Sequence, residues 1–385
     1  MKVLFIHTHY IFRGGEDSVV ANQIELLRSH GITAEVLIFN NESRKPHLDQ
    51  LQLPFNFRSY RLTKRKIRAF KPDVVHIHNL HFAGSASVIY AVKHFKLPIV
   101  STLHDYRLLC PTGNLFYNEK LFMDSINQRF PVEAIKQGMF MNSYSSSLWL
   151  SFSMLLHHLL GTWNKVDRFI VYSEFAKNIF EQSKLKSIAD RMVIKPNFSF
   201  TYPDGQIEKD ESYYLYVGTL TYDKGIPAML EAFADNGIFL KVVGEGPLVP
   251  LIKGYGQHYP NIRYMGRKPK EDVFNMMEHA SALIFPTLWF EPFGMVIAEA
   301  FSKGTPVIAS DLGNIKNMVD DGYNGLRFET NNDKDLRAKV EYYEALPDEE
   351  KAIYRENARK TYQKKYSPAL HADKLISIYN SVLKT

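Results

Sequence analysis

Two glutamates eight positions apart, Glu291 and Glu299, stand in the run Pro286-Thr-Leu-Trp-Phe-Glu-Pro-Phe-Gly-Met-Val-Ile-Ala-Glu299. A pair of carboxylates at short spacing first suggests glycoside hydrolysis. If both were helical, however, the rise between them would be about 12 Å, beyond the roughly 5–9.5 Å that such a pair uses. The spacing therefore disfavours a nucleophile–acid pair. Glu299 falls within an apolar run, so its burial needs a partner, either a ligand hydroxyl or a structural arginine.

Two glycine-bearing loops could hold an anion. Arg13-Gly14-Gly15-Glu16-Asp17-Ser18 follows the first apolar strand and opens a helix, where backbone N–H groups and a close approach suit a phosphate. It lacks the GxGxxG spacing of a dinucleotide site, and a plain tight turn explains it equally well. Gly218-Thr-Leu-Thr-Tyr-Asp-Lys224-Gly225 offers a lysine point charge beside a helix start, or simply a solvated lysine in a loop. Histidines cluster at His76-Ile-His78-Asn-Leu-His81. His76 and His78 share one strand face, but no cysteine or carboxylate accompanies them at ligand spacing, so a metal is not expected. His104, at the end of the Ile99–Leu103 strand, lies where a ligand of an α/β sheet would sit.

The elements that must position these groups alternate. Strands are expected at Lys2–His7, Ala34–Phe39, Val74–His78, Ile99–Leu103 and Phe169–Tyr172, with helices at Gly15–Ser29 and Ser85–Phe95. The pattern restarts with strands at Tyr213–Val217, Phe239–Val243, Ile262–Met265, Ala282–Phe285, Val307–Ala309 and Leu326–Phe328. Helices at Ile226–Phe233, Pro269–His279, Gly294–Ser302 and Asp333–Ala345 separate these. Such alternation predicts parallel sheets joined by crossover helices. Pro196–Ser212 is the linker candidate. It divides an N-terminal domain, 1–198, from a C-terminal domain, 199–365, with a closing helix at 366–385 expected to cross back to the first.

The chain has 385 residues, 45% hydrophobic and 23% charged, which suits two globular domains and excludes a disordered or collagenous chain. A single cysteine, Cys110, excludes an intrachain disulfide. No apolar run reaches membrane-spanning length, and the N-terminal one is too short for a secretion signal. A cytoplasmic location is expected. The net charge of +6 is unevenly spread. Residues 1–200 carry 25 Lys/Arg against 15 Asp/Glu, residues 201–350 carry 14 against 24, and residues 351–385 carry 8 against 2. Separate bodies with different electrostatic roles are implied.

Taken in chain order, these motifs resemble the retaining glycosyltransferases of family 4, which have the GT-B fold. The carboxylate motif resembles that family's Glu-x7-Glu signature. The supporting pieces are Gly14-Gly15, Pro72-Asp-Val-Val-His-Ile-His78, Thr102-Leu-His104, Gly218 to Gly225, Val243-Gly-Glu-Gly-Pro-Leu248, Gly304 to Ser310 and Asp321-Gly-Tyr-Asn-Gly325. The resemblance spans nearly the whole chain. It implies two Rossmann-like doubly wound domains facing across a cleft, with a nucleotide-sugar donor on the C-terminal domain and an acceptor on the N-terminal one. It further implies that Glu299 binds ribose hydroxyls and that Glu291 contacts the donor sugar, near the backbone of Phe293, Gly294 and Met295. Lys224 would bind the diphosphate, Gly14 and Gly15 would line the donor from the other domain, and His104 would touch the sugar. Neither a metal nor another cofactor is implied, and a UDP-sugar is favoured over a GDP-sugar. Retention of anomeric configuration would follow front-face attack, with the leaving phosphate taking the acceptor proton.

One position departs from that pattern. Thr219 stands where the family usually has arginine, which removes a charge-assisted contact of about 1.5–3 kcal/mol. Arg13, or Arg267 beside Gly266, is expected to substitute. A catalytically weak partner subunit is the alternative, and a nucleotide-sugar epimerase is disfavoured by the Glu-x7-Glu motif. For the acceptor, Arg58–Lys71 carries seven basic side chains and no acid, and Ser147–Leu160 is apolar but too short to span a bilayer. Together they suggest a peripheral contact with anionic membrane and a lipid-linked or glycan acceptor, in cell-surface polysaccharide or glycolipid biosynthesis. The competing reading is a solvated basic helix beside a core helix. Nucleic acid is not expected, because no aromatic platform or recognition motif accompanies the charge.

Overall fold

A computed structural model describes residues 1–9, 15–41, 50–203 and 212–384. The chain divides into two compact units. One comprises Met1–Tyr117, Phe122–Asn197 and Pro368–Thr385, and the other Asn118–Leu121 and Phe198–Ser367.

The N-terminal unit is a parallel sheet of β1 (Lys2–His9), β2 (Thr33–Asn40), β3 (Val74–Ile77), β4 (Ile99–Thr102), β5 (Arg168–Val171) and β6 (Met192–Ile194), in the order β2-β1-β3-β4-β5-β6. Apolar runs such as Val3–Ile6 and Val74–Val75 are wholly buried, as expected of strands covered on both faces. Helix α1 (Gly15–Ser29) follows β1. Its Val20, Ile24 and Leu27, spaced as one helical face, pack on Val3 and Phe5. Helix α2 (Phe57–Phe70) precedes β3, and α3 (Ser87–Lys93) and α4 (Tyr144–Leu159) follow it in the chain.

The C-terminal unit is built of β7 (Tyr213–Val217), β8 (Phe239–Val243), β9 (Ile262–Gly266), β10 (Leu283–Phe285), β11 (Val307–Ser310) and β12 (Gly325–Phe328). Their order is β9-β8-β7-β10-β11-β12, all parallel. Relative to its own first strand this is the 3-2-1-4-5-6 order of dinucleotide folds, whereas the N-terminal sheet follows the 2-1-3-4-5 order. In each sheet the winding reverses beside the first strand. The reversal lies between β1 and β3 in one unit and between β7 and β10 in the other. Ligands of open α/β sheets bind outside the carboxyl ends at such points.

Strand β6 has no counterpart in the sequence reading. Three edge residues carry no periodicity, and only the pairing of Phe169–Val171 with Met192–Ile194 defines them. At the far end, α5 (Pro368–Leu383) lies in the N-terminal unit. Its Leu375, Ile378, Tyr379 and Val382 join the core formed by Val3 and Phe5, with Lys374 outward.

Close backbone contact, rather than ligand approach, explains two glycines of the C-terminal unit. Gly225 has φ +72°, and a Cβ there would stand 1.8 Å from the Pro286 carbonyl oxygen. Gly244 would likewise place a Cβ 1.8 Å from the Gly218 carbonyl oxygen. Gly225→Ala is therefore expected to destabilise this unit by about 2–3 kcal/mol, from left-handed backbone strain plus displacement of the β10 loop. Denaturant unfolding checks it, and an unchanged midpoint would contradict the packing described.

Candidate active site

At the reversal point of the C-terminal sheet, the loops after β7 and β10 are tied together. The Leu288 N–H donates to the Asp223 carbonyl at 2.8 Å. Asn314 Nδ2 donates to the Pro292 carbonyl at 3.1 Å and pins the turn before helix α6 (Met295–Ser302). This brings Lys224 and Glu291, 67 residues apart, into direct contact, with Lys224 Nζ donating to Glu291 Oε1. The ammonium also lies 4.9 Å from the centre of the Trp289 ring, a cation–π contact that no linear motif announced. Both side chains are largely shielded from solvent.

Glu291 precedes the helix and Glu299 lies within it, so the two carboxylates do not share one helix as the spacing argument assumed. The Pro-Phe-Gly turn is the physical reason, since proline lacks the donor that would continue a helix through Glu291. Glu299 faces Lys270 Nζ at 3.6 Å. Burial raises its carboxyl above the usual range, and Lys270 partly counters this. The partner is thus a lysine on the neighbouring helix Lys270–His279, not the arginine weighed from sequence. Phe293 is buried and packs edge-on against Tyr366 at 5.6 Å, so its ring belongs to the core. Gly294 caps the helix, its carbonyl accepting from the Ile297 N–H at 3.0 Å, and Met295 is the first helical residue.

Thr219 and Arg267 are both exposed. The Thr219 carbonyl accepts from the Tyr216 hydroxyl at 2.9 Å. Arg267 follows Gly266 at the end of β9, two strands from β7, or about 10 Å by strand spacing. Arg13 and Gly14 lie outside the described residues. Gly15 opens α1, is exposed, and among the described residues has nothing within 4 Å of where a Cβ would stand.

In the N-terminal unit, the carboxyl edge gathers imidazoles. His78 Nδ1 and His104 Nε2 share a hydrogen bond of 2.8 Å, and His104 Nδ1 meets the Tyr172 hydroxyl at 2.9 Å. Both ring nitrogens of His104 are thus engaged within the protein, and a sugar reaching it must exchange for one of these contacts. Burial first, then the charges of His7 and Lys195, depresses its pKa to about 3, so it is a neutral imidazole. His76 is a core histidine, bonded to the Tyr379 hydroxyl at 2.7 Å and to Thr102 Oγ1 at 2.8 Å. Its strand-mate His78 is likewise held neutral by burial.

Sequence reasoning passed over two groups here. Among the described residues, one set could hold a metal ion: His7, His9 and Asp17, with ligand atoms within 4.8 Å of one another. His7 Nε2 and His9 Nδ1 both bond Asp17 Oδ1, at 2.8 and 2.5 Å, so these atoms already partner one another. The His-x-His spacing in β1 was the available signal. Glu16, in the first turn of α1, receives a hydrogen bond from Asn79 Nδ2 at 3.3 Å. Burial, reinforced by Asp105 and opposed by Arg107, raises its carboxyl to about 8. In the sequence it passes for an ordinary acidic residue at a helix start.

Two doubly wound units, with a lysine–carboxylate pair at one reversal point and a helix carrying the second glutamate, define a GT-B glycosyltransferase. The family model described as "Glycosyltransferase Family 4" matches residues 13–198, and that described as "Glycosyl transferases group 1" matches residues 200–361. The chain belongs to glycosyltransferase family 4. It is 26% identical to "Uncharacterized glycosyltransferase MJ1178" of Methanocaldococcus jannaschii over 353 residues, covering 88% of this chain and 87% of that one. It is 24% identical to "O-antigen chain mannosyltransferase C" of Escherichia coli over 217 residues, covering 52% and 57%. Among solved structures, Anabaena HepE in complex with UDP-glucose superposes with a TM-score of 0.69 at 16% identity, over 99% of this chain and 100% of that one. That likeness is one of fold.

Proposed function

We propose that the chain is a retaining, metal-independent hexosyltransferase. It takes a nucleoside-diphosphate sugar, UDP favoured over GDP, and transfers the sugar to a glycan or lipid-linked acceptor. The setting is cell-surface polysaccharide or glycolipid biosynthesis, in the cytoplasm at the inner face of the membrane. The observation that carries this is the meeting of Lys224 and Glu291 at the reversal point, with Glu299 partly buried one helix turn beyond. Lys224 binds the diphosphate, Glu291 a hydroxyl of the donor sugar, and Glu299 the ribose. The acceptor oxygen attacks the anomeric carbon on the face from which the diphosphate departs. The carbon–oxygen bond to phosphate breaks, and the acceptor proton passes to the leaving phosphate. Catalysis then rests on positioning and on charge stabilisation of that phosphate. The ligand of the Anabaena structure and the mannosyltransferase name of the Escherichia coli relative support the donor and pathway readings by analogy.

Thermal stability with UDP, GDP, ADP and their common sugar conjugates tests this reading. A ligand at 100 times its dissociation constant adds about 2.7 kcal/mol. A shift with one base, together with turnover of its sugar conjugate, is the expected result. No shift with any of them would favour the non-catalytic subunit, for which Thr219 in place of arginine is the support. Alanine at Arg13 and at Arg267 tests their replacement of that arginine, since donor affinity unchanged in both would dismiss it. Gly15→Ala is expected to leave stability within about 0.5 kcal/mol while lowering donor turnover at least ~10-fold, about 1.4 kcal/mol, because the added methyl enters space the donor fills.

The reading of a peripheral membrane contact draws on what the N-terminal unit exposes. Helix α4 turns Ser146, Ser147, Ser151 and Ser153 inward, and its Leu148 and Leu159 are 50% and 67% exposed. Helix α2 exposes Phe57 together with Arg58, Arg61, Arg65 and Arg68. Lys66 is instead paired with Glu35 at 2.6 Å. Among the described residues no helix is long and apolar enough to cross a membrane. Sedimentation with phosphatidylglycerol vesicles at low salt is expected, and its absence would remove the membrane from the proposal.

A further inference from the structure

Inside the N-terminal unit lies a cavity of about 150 Å³ whose two sides differ in chemistry. Its apolar side is formed by Leu53, Ile89, Leu150, Met154 and Phe169, contributed by the sheet, α3, α4 and the segment leading into α2. Its polar side carries Glu16, His78, Asp105 and Arg107, at the carboxyl ends of β1, β3 and β4. His78 is only 6% exposed, and its Nε2 has no hydrogen-bond partner among the described residues. A buried nitrogen without a partner is costly, and the polar lining is the place where a ligand hydroxyl would satisfy it.

From this arrangement we infer that the cavity is an aglycone site. It holds the alkyl or prenyl segment next to the sugar of a lipid-linked acceptor, while that sugar's hydroxyls bond Glu16, Asp105 and His78. The inference rests on the acceptor reading above and narrows it from glycan or lipid-linked to an acceptor with an apolar aglycone. A cavity of this size accommodates about six carbon atoms, comparable to one benzene ring. A free polysaccharide has nothing to place against Leu150 and Met154. A simple lipid without a sugar leaves His78 Nε2 unanswered. Helix α4 lines the cavity with Leu150 and Met154 and exposes Leu148, Phe152 and Leu159 on its outer side, an apolar surface for the rest of a longer chain.

Glu16 suits a hydroxyl-binding role. Its raised carboxyl keeps a proton near neutral pH and can both donate to and accept from a sugar. Arg107 Nε donates to Asp105 Oδ2 at 3.2 Å, which fixes the orientation of that carboxylate.

The test is calorimetric titration of the full chain with n-hexyl β-D-glucoside and methyl β-D-glucoside. The hexyl compound should bind at least ~10-fold tighter, with a negative heat-capacity change from apolar burial. Leu150→Trp, which fills the cavity, should abolish that difference, and Met154→Trp provides a second variant should the first fail to fold. Equal affinity for the two glucosides, or a hexyl preference that survives in a folded filled variant, would overturn the inference. Stabilisation by UDP or GDP, measured on the same samples, separates the outcomes. If it persists while the hexyl preference is absent, the aglycone site alone fails; if it is absent, the donor reading fails independently.

Discussion

Replacing Lys224 with alanine should lower kcat/KM for the sugar donor by about 10²–10³-fold, or roughly 2.7–4 kcal/mol. Two effects combine. The diphosphate loses the cation that the loop after β7 presents, and Glu291 loses the partner that fixes its carboxylate. The second effect also appears as stability, because a shielded carboxylate is left without its cation. Partial exposure of both side chains limits that cost to about 1–2 kcal/mol. A cycle with Glu291→Gln separates the roles. If Lys224 acts on the donor in its own right, the double variant should recover stability yet be slower than either single variant. A double variant no slower than the slower single one would mean that Lys224 serves only to hold Glu291. The Trp289 ring offers a further readout, since the ammonium lies against it and donor binding should change its fluorescence.

Acidification should unfold the N-terminal unit through its histidines. His76, His78, His81, His104 and His371 are all held below the ordinary imidazole value, chiefly by burial. The unfolded chain therefore binds protons below about pH 6.5 that the folded chain refuses, and stability falls as pH falls through that value. Each such proton contributes about 1.4 kcal/mol per pH unit once the window is entered. Glu16 acts oppositely. Its carboxyl, raised to about 8, stays protonated in the folded state, so its contribution grows as pH falls from 8 towards the ordinary carboxylate value. Lys195, whose ammonium is disfavoured by burial, acts in the same sense as the histidines and against Glu16. Net proton uptake on unfolding is thus expected below about pH 6.5. Calorimetry from pH 7.5 to 5 in buffers of different ionisation enthalpy measures both the falling Tm and the uptake. A Tm flat to pH 5 would mean that these imidazoles titrate normally.

The same buried polar chain explains why His104 was legible in the sequence while its surroundings were not. A histidine at a strand's carboxyl end can be located by counting. Its neighbours Tyr172 and His78 come from two other strands, and Lys195 and His371 meet at 2.9 Å across 176 residues. No periodicity encodes such contacts, because only sheet order brings the strands together.

What the sequence determined by itself was local. The alternation of apolar runs and amphipathic helices located eleven of the twelve strands of the two sheets, and the glycine and glutamate spacings located the loops at their carboxyl ends. These follow from hydrophobic period and turn chemistry, which act over a few residues. Tertiary structure alone decided which loops became neighbours. It paired Lys224 with Glu291 and Lys270 with Glu299, and it brought Glu16 beside Asn79. It also decided which face of α4 was buried. A segment rich in leucine and serine fits a core helix equally well, but four of the five serines of α4 turn inward. Ser146 Oγ donates to Gln50 Oε1 at 3.0 Å, and the Phe140 N–H donates to Ser147 Oγ at 2.9 Å. Buried hydroxyls with partners outside the helix fix that orientation, and those partners lie beyond the reach of any local pattern.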